Sequence, residues 1–168
     1  MQVIRAPSRE PPRHPRSLFL AGSTSGAGPD WRASLTTALA ASRAAAAAAV
    51  TVYDPARPDW DSTWREDPSF APFREQVSWE LEMQDRADVV IVFLHPGTRA
   101  AVSLMELGLC CGRRALRGGG GGVVVCCPEG YWKRGNVQIV CERYGVRCVG
   151  AEDELAGAVL DALAALEV

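Results

Sequence analysis

The sequence predicts an α/β fold in which a doubly wound parallel sheet of five strands carries helices on both faces. Short apolar runs alternate along the chain with longer segments of helical periodicity, which is the pattern of strand, crossover helix and parallel strand. The run 88–94 is apolar after its first residue, as in strands that are buried on both faces of such a sheet. With 168 residues, 48% of them apolar, the chain can bury the core of one domain.

Along the sequence, two predicted helices separate the first three predicted strands. Residues 17–22 form the first strand and end in a glycine-rich turn, after which Pro29 and Asp30 open a helix. We expect the alanine tract to extend this helix to about Ala48. The second strand covers residues 50–53, a polar and aromatic loop covers 54–64, and a helix over 72–86 leads to the third strand, 88–94.

The second half of the chain continues the alternation. Its elements are a helix over 102–116, a flexible glycine connector at 118–122, a strand over 122–127, a short helix over 136–144, a strand over 146–149 and a helix over 152–166. A flavodoxin-like strand order, 2-1-3-4-5, fits this succession. Ligands of such sheets bind beyond the carboxyl ends of the strands, which brings the Gly22 turn, the 54–64 loop and residues 95–103 around one cleft.

The composition of the chain indicates its cellular compartment and the classes of partner that it binds. Residues 1–16 are rich in arginine and proline and lack the apolar core of a secretory signal, so we expect a mobile arm before a single domain over 17–168, with an organelle presequence as the alternative. A net charge of −2 does not favour a nucleic-acid polymer as partner, and no apolar run reaches the ~20 residues of a membrane span. The six cysteines lie in apolar stretches without C-x-x-C spacing, which favours reduced, buried side chains in a cytoplasmic protein that needs no metal or redox cofactor.

The glycine-rich turn makes Gly22 and Ser23 candidate ligand contacts, because backbone N–H groups at a helix N-terminus hold anions. It lacks both the G-x-G-x-x-G and the P-loop pattern, so a simple tight turn is equally consistent with it. On the following helix, one face holds Phe73, Val77, Leu81 and Gln84, with Glu80 at its edge. Glu80 either turns outward, or caps a neighbouring amide, or points along the helix into the cleft.

Residues 103–106, Ser-Leu-Met-Glu, also admit two interpretations. Ser-x-x-Glu before an apolar run is typical of a capping box. The helix is nonetheless apolar almost all round and follows the carboxyl end of a strand, which places Glu106 at the cleft. A desolvated carboxylate opposite a second one suits covalent glycosyl transfer, since one attacks the anomeric carbon while the other handles protons or hydroxyl contacts.

Six segments together resemble the nucleoside 2-deoxyribosyltransferase family over about residues 17–150. They are 19–22 (Phe-Leu-Ala-Gly), 54–61 (Asp-Pro-Ala-Arg-Pro-Asp-Trp-Asp), 75–81 (Glu-Gln-Val-Ser-Trp-Glu-Leu), 87–90 (Ala-Asp-Val-Val), 96–98 (Pro-Gly-Thr) and 103–108 (Ser-Leu-Met-Glu-Leu-Gly). The resemblance implies that Glu106 is the nucleophile that forms a deoxyribosyl ester and that Glu80 assists with sugar contacts or proton transfer. It implies that Asn136 is donated by a neighbouring subunit, hence a homo-oligomer with shared active sites.

The same resemblance indicates the ligand contacts and the activity. Substrate contacts are expected in the segments that hold Gly22, Ser23, Asp54, Trp60, Asp61, Pro96, Thr98 and Ser103. The expected activity is retaining transfer of deoxyribose from a 2′-deoxyribonucleoside to another free nucleobase. The alternatives are hydrolysis of a nucleoside or nucleoside 5′-monophosphate, and non-catalytic nucleotide binding.

One position departs from the family. Six residues before the nucleophile the transferases have an aspartate and the related nucleotide N-glycosidases have a phosphate-contacting serine, whereas this chain has Ala100. Thr98, Arg99 and Ser103 are nearby polar side chains that could hold a 5′-phosphate at the helix N-terminus.

Overall fold

The computed structural model describes residues 1–23, 30–43, 49–61, 63–116 and 122–166. The strands are β1 (Gln2–Arg5), β2 (Arg16–Gly22), β3 (Val50–Asp54), β4 (Val89–Phe93), β5 (Gly122–Cys126) and β6 (Arg147–Val149). The α-helices are α1 (Trp31–Ala41), α2 (Ala71–Arg86), α3 (Ala101–Leu116), α4 (Arg134–Tyr144) and α5 (Leu155–Ala164), the last preceded by a 3-10 turn at Glu152–Glu154. Among the described helices, none is both long and apolar enough to span a bilayer.

All six strands are parallel and lie in the order β1-β3-β2-β4-β5-β6. The predicted doubly wound α/β class is confirmed, and the five predicted strands occur in the predicted order. The predicted number of strands is wrong, because β1 adds a sixth strand at the edge next to β3.

This sixth strand comes from the segment predicted to be a mobile arm. β1 pairs with β3 so that Gln2 lies opposite Thr51 and Arg5 opposite Asp54. The side chain of Ile4 is buried in the core on one face of the sheet, while the neighbouring Val3 is 38% exposed. Four residues with a single buried apolar side chain do not stand out in a segment dominated by arginine and proline, so composition concealed the strand.

The core has two layers, one on each face of the sheet. Alternate residues of each strand point to opposite faces, so Leu18 and Phe19 of β2 belong to different layers. The layer under α2, α3 and α4 includes Trp79, Met83, Leu107, Cys111 and Val137. The layer under α1 and α5 includes Trp31, Leu35, Leu39, Leu155 and Val159.

The helix boundaries differ from those predicted, and the start of the last predicted helix, 152–166, is a 3-10 turn before α5. The first helix ends at Ala41, because Ser42 adopts an extended backbone and its N–H bonds back to Leu39. The rest of the alanine tract at 44–48, most of the glycine-rich turn at 24–29 and residues 117–121, which hold all but the last residue of the predicted glycine connector, lie outside the described residues. Helix α3 begins at Ala101 and α4 at Arg134, each slightly before the predicted start.

Candidate active site

A cleft of about 890 Å³ opens at the carboxyl ends of β2 and β4. The chain crosses from β2 to β3 on one side and returns to β4 on the other, so this is the switch point where doubly wound sheets bind ligands. Gly22 and Ser23 line the cleft after β2, and Trp60 lines it from the loop after β3. Glu80 of α2 and Glu106 of α3 both line it.

The Glu106 side chain is held from one side. It is only 7% exposed, and its Oε1 accepts a hydrogen bond from Nε2 of Gln84, which is also buried. The Sγ of Cys110 lies 3.9 Å from Oε1 of Gln84 and donates to it, which turns the amide NH₂ toward the carboxylate. Among the described residues, Oε2 of Glu106 has no hydrogen-bond partner, so one carboxylate oxygen is fixed and the other is available to a ligand.

Glu80 is held in a similar way from its own helix. Nε2 of Gln76 donates to Oε1 of Glu80 and to the carbonyl of Pro55, both at 2.8 Å. Gln76, Glu80 and Gln84 are spaced four residues apart and therefore share one face of α2. This single polar stripe fixes both carboxylates of the pair.

Burial dominates the electrostatics of the pair. Desolvation, followed by the nearby charge of Glu80, raises the pKa of Glu106 to about 7, while the Gln84 hydrogen bond and Arg32 oppose the shift. Burial also raises the pKa of Glu80, against the hydrogen bond from Gln76 and the charge of Arg32. Two interacting carboxyls titrate as a unit, so the pair retains a proton into the neutral range.

Arg32 is a site residue that sequence reasoning missed. It lies in the first turn of α1, is 8% exposed, and donates to the carbonyls of Leu20 at 3.2 Å and Gly22 at 2.7 Å. Burial lowers its pKa, while Asp54, Asp30 and both glutamates act in the opposite direction. An arginine at a helix start is usually exposed, so nothing in the sequence marks this one.

Asp54 does not line the cleft, but it contacts residues that do. Its carboxylate lies 3.8 Å from Nε of Arg32, accepts from Nε of Arg5 at 3.4 Å, and accepts from the backbone N–H of Ala56 at 3.0 Å. It therefore anchors the start of the loop after β3 and the buried guanidinium together.

The loop after β3 places its two predicted ligand residues differently. Trp60 is 51% exposed on the wall of the cleft, with its ring 5.2 Å from that of Trp64. Asp61 is exposed and does not line the cleft; instead it accepts from the N–H and hydroxyl of Thr63, both at 2.8 Å, which closes a local turn.

Ser23 and Thr98 join the turns that follow β2 and β4. The hydroxyl of Thr98 donates to Oγ of Ser23 at 2.9 Å, and the backbone N–H of His95 donates to the same oxygen at 3.0 Å. Pro96 lies in this second turn without lining the cleft. Arg99 also lies outside it, with its guanidinium 5.9 Å from the ring centre of Trp132.

The start of α3 differs from the capping-box interpretation. Ser103 is buried and lines the cleft, but the helix begins two residues earlier at Ala101, so Ser103 does not occupy the N-cap position. The preceding residue, Ala100, has φ +48° and also lines the cleft. A left-handed alanine is uncommon, since its Cβ makes this conformation costly.

Asn136 lies apart from the cleft of its own chain. It is exposed near the start of α4 and is absent from the cleft wall.

Fold and site define a Rossmann-like α/β protein whose switch-point cleft carries two carboxylates, the buried Glu106 and the half-buried Glu80. The family described as nucleoside 2-deoxyribosyltransferase like matches residues 15–131, which include Glu80 and Glu106 and end before Asn136. The chain belongs to this family, as its sequence segments predicted. No curated protein matches the chain.

Proposed function

We propose that the protein is a retaining enzyme that breaks the N-glycosidic bond of a 2′-deoxyribonucleoside and passes the sugar to another nucleobase. The observation that carries this proposal is that Glu106 and Glu80 line one cleft, each held by a glutamine of α2. Two fixed, desolvated carboxylates beside an open volume fit a double displacement at a sugar carbon.

The proposed reaction has two steps. In the first, an ionised oxygen of Glu106 attacks C1′, the bond between C1′ and the base nitrogen breaks, and the base leaves with a proton. Glu80 supplies that proton or contacts a sugar hydroxyl. In the second, a nitrogen of the incoming base attacks C1′ and loses its proton to the group that protonated the departing base, and Glu106 leaves as a carboxylate. Two displacements at the same carbon retain its configuration.

The charges of the cleft are consistent with this division of roles. Glu106 must be ionised to attack, and with a pKa near 7 it is both ionised in a large fraction of molecules and more basic than a solvated carboxylate. The buried Arg32 guanidinium supports a second negative charge in the same cleft. Trp60, half-exposed on the wall, offers a surface on which a nucleobase stacks.

We further propose that two chains share each active site. Asn136 does not line the cleft of its own chain, and Val102, Met105 and Leu109 form an exposed apolar row along α3. The row follows the 3-4 spacing of helices that pack against each other, and it begins at Val102 on the cleft wall. A second copy covering this row would bring another chain close to the opening of the cleft.

A second candidate is hydrolysis of a nucleoside 5′-monophosphate, with water in place of the acceptor base. Ala100 removes the negative charge that the transferases carry at this position, and the N-terminus of α3 opens beside it with Thr98 and Ser103 on the wall. Helix N-termini and hydroxyls bind phosphate, which supports this alternative.

One experiment separates the candidates. Wild-type protein is incubated with 2′-deoxyribonucleosides or their 5′-monophosphates, with and without a second free base, and the products are separated by chromatography. Exchange of the base supports the transferase, and free sugar or sugar phosphate without an acceptor supports the hydrolase. If wild type and Glu106→Ala give equal turnover on every substrate, both enzyme proposals fail and a non-catalytic binding protein is the remaining interpretation.

A further inference from the structure

A second cavity, of about 400 Å³, lies at the carboxyl ends of β5 and β6 and shares no lining residue with the carboxylate cleft. Three cysteines from three elements line it: Cys127 after β5, Cys141 on α4 and Cys148 in β6. Arg134, the first residue of α4, lines it as well. We call these four residues the thiol pocket.

The three thiols of this pocket are not equivalent. Cys148 is half-buried, whereas Cys141 and Cys127 are both 1% exposed. The Sγ of Cys148 lies 4.0 Å from the carbonyl oxygen of Val149. The neighbouring Cys141 thiol, followed by the charge of Arg134, lowers the pKa of Cys148 against the effect of burial, while the pKa of Cys141 is raised.

Arg134 is held beside the sulfurs by the backbone. Its Nε donates to the carbonyl of Cys127 at 3.3 Å, and its Nη2 lies 3.8 Å from the position that a Cβ on Gly150 would occupy. Glu142 and Arg147 are the other charged residues of the wall. A half-buried thiol that shares a cavity with a fixed guanidinium and a second thiol is in the setting in which a protein cysteine is nucleophilic.

We propose that the thiol pocket is an oxidation site, in which Cys148 reacts with a hydroperoxide and Cys141 then closes a disulfide with it. The Cys148 thiolate attacks the peroxide, the O–O bond breaks, and sulfur takes one oxygen as a sulfenic acid while the other leaves, with a proton, as water or an alcohol. The Cys141 sulfur then attacks the Cys148 sulfur, and the sulfenic hydroxyl leaves with the Cys141 proton as water. One peroxide thus oxidises two thiols.

The other cysteines provide an internal contrast. Burial raises the pKa of Cys110 and of Cys126 to about 12, so both remain protonated at neutral pH. Cys111 is buried on α3, and burial raises its pKa too. Low thiolate content and poor access together make these three slow to oxidise. The proposal therefore predicts a selective reaction at Cys148.

The experiment treats the full-length protein with one equivalent of hydrogen peroxide at pH 7 and maps the cysteines by peptide mass spectrometry. Wild type is expected to yield the Cys141–Cys148 disulfide. Cys141→Ser is expected to stop at a sulfenic acid on Cys148 that dimedone captures, and Cys148→Ser to form neither product. Cys111→Ser, as the matched control, is expected to behave like wild type.

A second variant tests the guanidinium. Arg134→Gln is expected to raise the pKa of Cys148, so alkylation of Cys148 at pH 7 should be slower than in wild type because the thiolate fraction falls. The proposal is overturned if wild type first oxidises at Cys110, Cys111 or Cys126, if the disulfide joins Cys127 instead, or if Cys148→Ser consumes peroxide as fast as wild type. Mapping of wild type decides the matter even where a variant does not fold.

Discussion

Gln84 donates a hydrogen bond from Nε2 to Oε1 of Glu106, and both side chains are buried between α2 and α3. The amide is itself oriented by the thiol of Cys110, so its donor faces the carboxylate. The position of the proposed nucleophile is therefore set before a ligand binds, by a residue that does not line the cleft. Such preorganisation is what a displacement at a single carbon requires.

Gln84→Leu is expected to lower kcat about tenfold to a hundredfold while changing KM much less, since Gln84 acts through Glu106. The hydrogen bond lowers the pKa of Glu106, so its loss should also move the acid limb of the pH profile to higher pH. Gln138→Leu, an exposed glutamine on α4, is the control. An unchanged pH profile together with an unchanged kcat would contradict the positioning role.

Glu106→Gln should abolish turnover and at the same time stabilise the protein at alkaline pH. The pKa of Glu106 rises from 4.5 to about 7 on folding, so the folded state binds the proton more tightly, and the free energy of unfolding falls as pH increases across this window. Above pH 7 the ionised side chain costs on the order of 2–3 kcal/mol. Glutamine has no charge and retains the acceptor for Gln84.

Thermal melting of Glu106→Gln and wild type at pH 8 and pH 4 measures this effect. We expect the variant to melt at a higher temperature at pH 8 and the difference to vanish at pH 4, where wild-type Glu106 is protonated in both states. Equal stability at both pH values would contradict the desolvated state of Glu106.

Glu80→Gln tests the coupling between the two carboxyls. In wild type, kcat/KM should fall as pH decreases below about 7, because Glu106 must be ionised to attack. Removing the charge of Glu80 takes away one cause of the raised pKa, so the acid limb of the variant should shift to lower pH even though its maximal rate is reduced. Steady-state rates between pH 5 and 9 provide the test, and an acid limb that moves upward would refute the coupling.

The paired carboxylates were predictable from the sequence, but the groups that hold them were not. Glu106 lies near the start of α3, shortly after β4, where ligand residues of a doubly wound sheet are expected, and Glu80 lies in the middle of α2 at the edge of the face predicted to be buried. The helical wheel predicts that Phe73, Val77, Leu81 and Gln84 share the buried face of α2. Of these four, the structure buries only Gln84, and the other buried residues of the helix are Gln76, Trp79 and Met83, while Leu81 is 36% exposed.

The hydrophobic pattern does not account for the burial of these glutamines, because it carries no information about the hydrogen bonds that a buried amide can form. Gln76 and Gln84 are polar in any sequence-based scale, yet here each meets a carboxylate of the site. Such tertiary pairing overrides local periodicity, and a single sequence does not reveal it.

The edge strand β1 provides a test of the part of the fold that composition concealed. Ile4 is 1% exposed against the layer that contains Trp79, whose indole N–H donates to the carbonyl of Ser8 at 2.7 Å. Ile4→Ala should lower the free energy of unfolding by about 2–4 kcal/mol. Val3→Ala, on the exposed side of the same strand, should change it by less than about 1 kcal/mol. Equal effects in urea unfolding would mean that β1 is not docked on the sheet.

Ala100 offers the sharpest discrimination between nucleoside and nucleotide substrates. Its left-handed backbone, φ +48°, suits asparagine and aspartate better than alanine, so both substitutions fit the local conformation and differ only in charge. Ala100→Asp places a carboxylate on the cleft wall beside the N-terminus of α3. If that N-terminus holds a 5′-phosphate, repulsion should lower kcat/KM for a 5′-monophosphate at least tenfold relative to Ala100→Asn.

Nucleosides should respond differently, because an uncharged 5′-hydroxyl donates a hydrogen bond to the new carboxylate. We expect kcat/KM for deoxyribonucleosides to change less than about threefold between the two variants, or to favour Ala100→Asp. Parallel assays of both variants on one nucleoside and its 5′-monophosphate provide the comparison. Equal ratios for the two substrates would show that the phosphate does not bind at this helix N-terminus, and the monophosphate hydrolase would lose its structural support.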